Sequence, residues 1–200
     1  MKLYYSPGAC SLSPHIVALE ADQRVELVKT DLASKKTASG QDFLSINPKG
    51  YVPALELDDG TILTEGPAIV QYLADKSPDS GLIPKVGTRE RYQVLEWLNF
   101  ISTELHKSFS PLFNPAASDA RKQEARDYLT RRFPIVETQL GKTPFLTGEQ
   151  FTVADAYLFT VLSWAKFVGM DLPTTFKDYL SRVSHRPAVQ MALKEEGLIK

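Results

Sequence analysis

The sequence predicts two unlike units in tandem, an α/β unit followed by an all-helical one. Three observations carry that prediction. From residue 1 to about 75 the apolar residues switch repeatedly between the alternation of a strand and the spacing of a helix. Residues 76–87 (KSPDSGLIPKVG) gather Pro, Gly, Ser and Asp, as an interdomain connection does. Beyond Thr88 the strand signals stop.

In order, KLYY reads as a short strand and SPHIVALEA as a helix, with Pro14 suited to its first turn and Ser11 or Ser13 available as the cap. VELVKT is a second strand. The polar stretch SKKTASG connects it to a short helix, GQDFLSIN, which ends at Asn47-Pro48. VPALELDDGTIL then gives two strands around an Asp-Gly turn, an antiparallel hairpin. In GPAIVQYLADK, Pro67 opens a helix whose apolar residues Ile69, Val70, Tyr72 and Leu73 keep helical spacing. The order is βαβαββα.

In the second half, Val94, Leu98, Ile101, Leu105 and Leu112 form the stripe of one long amphipathic helix from Thr88 to about Asn114. Another helix runs from about Ser118 to Leu140. FTVADAYLFTVLSWAKFVG is apolar nearly all round and is expected at the buried centre of this unit. Thr152 and Asp155 fit a capping box at its start, where hydroxyl and carboxylate each satisfy an orphan backbone N–H. Two shorter helices, before and after Pro187, close the chain. The division is 1–80 for the α/β unit, 81–87 for the linker and 88–200 for the helical unit.

At 200 residues the chain can bury a substantial core without disulfides or metal. Lys plus Arg (23) nearly balances Asp plus Glu (24), which leaves no basic field for nucleic acid or an anionic membrane. No stretch approaches a membrane span, and MKLYYSPGACS breaks the apolar run of a signal peptide with Pro7 and Gly8, so a cytoplasmic protein is expected. The single cysteine excludes an internal disulfide, and no Cys or His lies near it at the spacing of a structural zinc site. No metal is expected.

That cysteine, Cys10, follows the first strand and precedes the first helix. Unpaired N–H groups and the positive end of the helix dipole favour a thiolate there, although most lone cysteines are merely buried small residues. With no second Cys at i+3, nothing inside the chain could resolve a mixed disulfide, and a small-molecule thiol must do so. Val52-Pro53, at the start of the third strand, is either an ordinary edge proline or a cis bond that leaves the backbone of Val52 to a peptide-like ligand. Glu65-Gly66-Pro67 offers a carboxylate for an amine and a helix start for an anion. Lys35 and Lys49 border the same face and could take a second carboxylate. Asn99, Thr103, His106 and Ser110 fall at i, i+4, i+7 and i+11, a polar stripe that is either solvated or, facing the first unit, able to place an imidazole near the thiol. Phe109, Phe113, Tyr157 and Trp164 are candidates for an apolar wall and equally for core. His15 and His185 read as structural.

YYSPGACS, NPKGYVPALELDDG, LTEGPAIVQYLAD and FTVADAYLF together resemble a bacterial beta-class glutathione transferase over essentially the whole chain. PGACS, with Cys10 where other classes carry Tyr or Ser, points to that class. The resemblance implies a thioredoxin-like N-terminal domain, an all-helical C-terminal domain, a homodimer, and glutathione as co-substrate without a prosthetic group. By the same resemblance, Cys10 faces the glutathione sulfur and can hold it as a mixed disulfide. Val52 pairs with the cysteinyl unit beside a cis Pro53. Glu65 and Gly66 take the γ-glutamyl end, Lys35 takes the glycine carboxylate, and Asn99 and His106 lean over the sulfur. Many relatives carry Ser at Gly66, which puts one hydroxyl contact in doubt, and Thr103 and Glu104 are less certain cross-dimer residues. The activity implied is transfer of glutathione to hydrophobic electrophiles, with thiol–disulfide exchange or peroxide reduction through Cys10 alongside it. The rivals are a mainly glutaredoxin-like oxidoreductase and a non-catalytic binding member of the fold.

Overall fold

A computed structural model describes every residue from Met1 to Lys200. Compactness sorts the chain into two units, Met1–Ile83 together with His185–Lys200, and Pro84–Ser184. The first is built on a five-stranded sheet in the order β3-β2-β1-β4-β5. Its strands are β1 (Lys2–Tyr5), β2 (Glu26–Asp31), β3 (Lys36–Thr37), β4 (Ala54–Glu56) and β5 (Ile62–Thr64). β1 is central, parallel to β2 and antiparallel to β4, with Leu3 opposite Leu27 on one side and Leu55 on the other. A right-handed βαβ crossover needs a helix between β1 and β2, and α1 (Leu12–Glu20) supplies it. Every residue of α1 from Leu12 to Ala18 is buried, because this helix also packs against α2 (Gly66–Asp75) and α8 (Pro187–Glu195). On the other face of the sheet Tyr4 packs with Phe43, Val52 and Ala54, the alternation that a strand imposes.

Two details of this unit differ from the sequence reading. GQDFLSIN makes only a single 3₁₀ turn at Phe43–Ser45, capped by Asp42, whose Oδ1 accepts from the Leu44 N–H at 3.0 Å. The connection SKKTASG contains the extra strand β3, which pairs antiparallel with β2 through Thr30 and Thr37. Both misreadings have one cause: segments this short take their conformation from the edge they pair with, not from their own periodicity.

The second unit is all-helical: α3 (Arg89–Phe100), α4 (Lys107–Phe113), α5 (Asp119–Leu140), α6 (Val153–Ser163) and α7 (Thr174–Ser184). Thr88 caps α3 and Ser118 caps α5, each side-chain oxygen accepting a backbone N–H three residues on. The long helix expected over 88–114 is broken by a π turn at Ile101–His106, where the Lys107 N–H reaches back to the Ser102 carbonyl. One residue added to a turn slips the helix phase by about 100°, so the straight polar stripe through Asn99, Thr103, His106 and Ser110 does not persist. The α-helical part of the apolar segment ends at Ser163 and a 3₁₀ turn continues to Val168. Val153 to Leu162 are all buried, as that composition requires.

The capping box is present. The Thr152 N–H donates to Asp155 Oδ2 at 2.9 Å, and Asp155 also accepts from the Leu146 N–H at 2.9 Å and from the Thr152 and Tyr179 hydroxyls. Burial raises the Asp155 carboxyl to about 6, against the pull of those donors in the opposite direction.

The sequence-based division left all of 88–200 in the helical unit, whereas α8 groups with the sheet. Arg186 donates to Glu20 of α1 through Nε at 2.6 Å and Nη2 at 2.8 Å, a bidentate pair that anchors the start of α8 there. A boundary drawn along the chain could not show this return.

Candidate active site

The loop between β1 and α1 presents Cys10. Ser11, available with Ser13 as the cap, stands at the N-cap but does not cap by its side chain. Its hydroxyl instead accepts from the Ser6 N–H at 3.1 Å and donates to the Ser6 carbonyl at 3.2 Å, which closes the loop on itself. Ser13 donates from Oγ to the Cys10 carbonyl at 2.9 Å, and Pro14 lies in the first turn, as its missing N–H allows. The Cys10 thiol, half-buried, donates to the Val52 carbonyl at 3.1 Å. The Val52-Pro53 peptide bond is cis. Pro53 directly precedes β4, so it takes no donor from the ladder.

Glu65 stands at the N-cap of α2 with φ 72° and ψ 115°, a backbone conformation that costs a non-glycine residue on the order of 1–3 kcal/mol and is found where a site demands it. Its carboxylate meets the Lys49 ammonium at 2.7 Å, both side chains well exposed. Lys49 also donates to the Thr64 hydroxyl at 2.8 Å. Gly66 opens the helix, and a methyl group placed there would lie 3.9 Å from Pro53 Cγ, an ordinary contact. Lys35, itself at φ 57°, donates to the Gly50 carbonyl at 2.9 Å. Cys10, Val52, Pro53, Glu65, Gly66 and Lys35 thus all stand on the first unit, at the ends of its strands or the start of its second helix.

Within the helical unit, His106 ends the π turn and its Nδ1 lies 2.6 Å from the Tyr157 hydroxyl. The Trp164 ring meets the imidazole edge to face, with centroids 4.8 Å apart, and Trp164 packs in turn against Phe109 and Phe113. Of the four wall candidates, Phe109, Tyr157 and Trp164 are buried, which favours the core reading, and Phe113 is 48 % exposed. Thr103 donates to the Asn99 carbonyl at 3.1 Å, a back-bond within the helix.

Family models match both parts of the chain: the N-terminal domain of glutathione S-transferases over residues 1–75 and their C-terminal domain over residues 100–187. The curated glutathione S-transferase GstA of Escherichia coli O157:H7 is 48 % identical, over 99 % of this chain and 100 % of its own. The chain belongs to the glutathione S-transferase family.

Solved members of the family follow the whole fold. The bacterial transferase BphK, in a ternary complex, is 59 % identical with a TM-score of 0.97, covering 98 % of this chain and 100 % of its own. A sphingomonad transferase complexed with glutathione is 46 % identical with a TM-score of 0.96, and a bacterial beta-class transferase of Sphingomonas chungbukensis is 45 % identical with a TM-score of 0.97, each covering 100 % of both chains. These confirm the glutathione transferase reading, the thioredoxin-like sheet with its helical partner domain, and the beta-class likeness. No helix is long and apolar enough to cross a membrane.

Sequence reasoning missed what holds the Cys10 loop from outside. The Gly8 N–H donates to Glu196 Oε2 at 2.8 Å, and the other oxygen of Glu196 meets His15 Nδ1 at 3.0 Å. His15 was expected to be structural, and it is buried at the centre of this contact. Glu196 had no local signal at all, since a glutamate at the end of a helix is normally solvated.

Proposed function

We propose that this glutathione transferase transfers the glutathione thiol to hydrophobic electrophiles, with Cys10 facing the bound sulfur and able to hold it as a mixed disulfide. The observation that supports this reading is the 3.1 Å contact between Cys10 Sγ and the Val52 carbonyl. A cysteinyl unit that pairs its backbone with Val52 brings its own sulfur to Cys10. The strained N-cap fits the same ligand: Glu65 receives the γ-glutamyl amine, the N–H groups at Gly66 receive its carboxylate, and Lys35 takes the glycine carboxylate. Asn99 and His106 are proposed to serve the glutathione sulfur, His106 as base or donor with its ring steadied by Tyr157. In transfer, the bound thiol loses its proton, the sulfur forms a bond to the electrophilic carbon, and a leaving group departs or the double bond opens. The assembly is a cytoplasmic homodimer.

Intact mass before and after reductant tests the Cys10 role: loss of one glutathione supports it, and absence of any adduct under oxidising conditions sinks it. Cys10→Ala separates the two chemistries. Conjugation of a chromogenic electrophile should partly persist while disulfide exchange vanishes. Disulfide exchange by the wild type without conjugation of any electrophile would favour the glutaredoxin-like reading, which the Cys10 contact also suits.

A further inference from the structure

The loop that presents Cys10 is held from two sides. Its inner ties, Ser11 to Ser6 and the Ala9 N–H to the Ser6 carbonyl at 3.0 Å, are local. Its outer tie comes from the end of the chain. Glu196, whose side chain is 0 % exposed, spans the Gly8 N–H and His15. His15 is held in turn through Nε2 by Glu195 at 2.8 Å. His15 thus lies between two carboxylates, one at each ring nitrogen.

The turn that brings the chain there is specified by its backbone. Gly197, at φ 72°, follows α8 and its N–H donates to the Lys194 carbonyl, while the Leu198 N–H donates to the Leu193 carbonyl at 2.8 Å. This is a Schellman termination, for which a left-handed glycine is suited. It lays Leu198 over Gly8, where an added Cβ would meet Leu198 Cδ2 at 3.4 Å. Gly8 itself has φ 71°, so its peptide planes are set from both sides, two residues before Cys10.

We propose that Glu196, with Leu198, is a positioning element for the Cys10 thiol: the chain end fixes the Gly8 peptide and thereby holds Sγ at the Val52 carbonyl. The disulfide arm of the test rests on the reading that Cys10 can hold glutathione; the alkylation arm does not. In the disulfide arm, the Cys10 thiolate attacks oxidised glutathione, a Cys10–glutathione disulfide forms, and one glutathione thiolate leaves. Glu196→Ala lets the loop relax. The thiol leaves the Val52 carbonyl, so alkylation by iodoacetamide should speed up about threefold or more. Reaction with oxidised glutathione, which needs the sulfur in place, should slow about tenfold.

Opposite signs separate displacement of the thiol from a change in its intrinsic reactivity, which would move both rates the same way. Glu196→Gln, which keeps an oxygen for Gly8, should restore both rates most of the way. Leu198→Ala should repeat the pattern more weakly and serves if Glu196→Ala does not fold. Arg186→Ala, which loosens α8 on α1 with Glu196 intact, sets the size of a merely structural effect. Both rates moving together, neither moving, or Arg186→Ala matching Glu196→Ala in size would overturn the proposal. Wild-type protein that is alkylated normally but never takes up glutathione would instead refute the reading of Cys10 and leave the alkylation arm as the test of position.

Discussion

Asp155 and Glu196 are the same device used at two ranges. Each is a buried carboxylate at a helix end that accepts a backbone N–H and a second polar group. The partners of Asp155 lie at most 24 residues away, and the group secures the start of its own helix. Those of Glu196 lie 188 and 181 residues away, and the group ties the chain end to the loop after the first strand. The difference teaches where such a group acts. A local knot stabilises an element, whereas a remote one couples two parts of the chain and can set the geometry of a functional loop.

The sharpest way to break this comparison is to remove each carboxylate. Asp155→Ala leaves the Leu146 and Thr152 N–H groups and the Tyr179 hydroxyl without their acceptor in a dry site, which should cost about 3–5 kcal/mol in urea unfolding. Glu196→Ala should cost about 1–3 kcal/mol, since it strands fewer partners, the Gly8 N–H and His15. Equal losses, or a loss under about 1 kcal/mol at Asp155, would remove the distinction.

A second test is pH. The Asp155 carboxyl titrates near 4 when unfolded and is raised to about 6 when folded. The folded state therefore holds the proton more tightly, so this group's contribution is full below about 4 and falls away as pH rises through about 6. Unfolding free energies of wild type and Asp155→Asn, subtracted across that window, should show this slope. A flat difference would mean that the donors balance burial, and a slope of the opposite sign that they outweigh it. Glu56 runs the other way, since hydrogen bonds from Tyr4 and Lys2 hold its carboxyl below the usual range, so its contribution is lost as pH falls.

The smallest expected effect concerns a third carboxylate, exposed and on a strained backbone. Glu65→Gly should relieve the φ of 72° and stabilise the chain by about 1 kcal/mol, while raising the KM for glutathione by removing the amine's partner. A stabilised variant with unchanged KM would detach Glu65 from the ligand. A destabilised one would show that its pair with Lys49 matters more than an exposed pair should.

Much of this was legible in local pattern. β1, α1, β2, the β4–β5 hairpin, α2 and the capping box at Thr152 each rest on contacts near in sequence, and the cysteine could be placed at the strand-to-helix loop from residue order alone. The π turn before His106 was not legible, because ISTELH has the composition of an ordinary helix. Nor was Ser11, whose hydroxyl can cap a helix or close a loop, a choice made by the position of Ser6.

The sequence by itself determined the types of the longer elements, the place of Cys10 and the family, since periodicity, turn chemistry and motif spacing are properties of neighbours. Only the tertiary structure decided that α8 returns to the sheet and that Glu196 reaches Gly8. Both depend on contacts separated by most of the chain. A glutamate at a helix end looks solvated until folding buries it against a backbone N–H and an imidazole, and that burial turns an unremarked residue into a hold on the thiol loop.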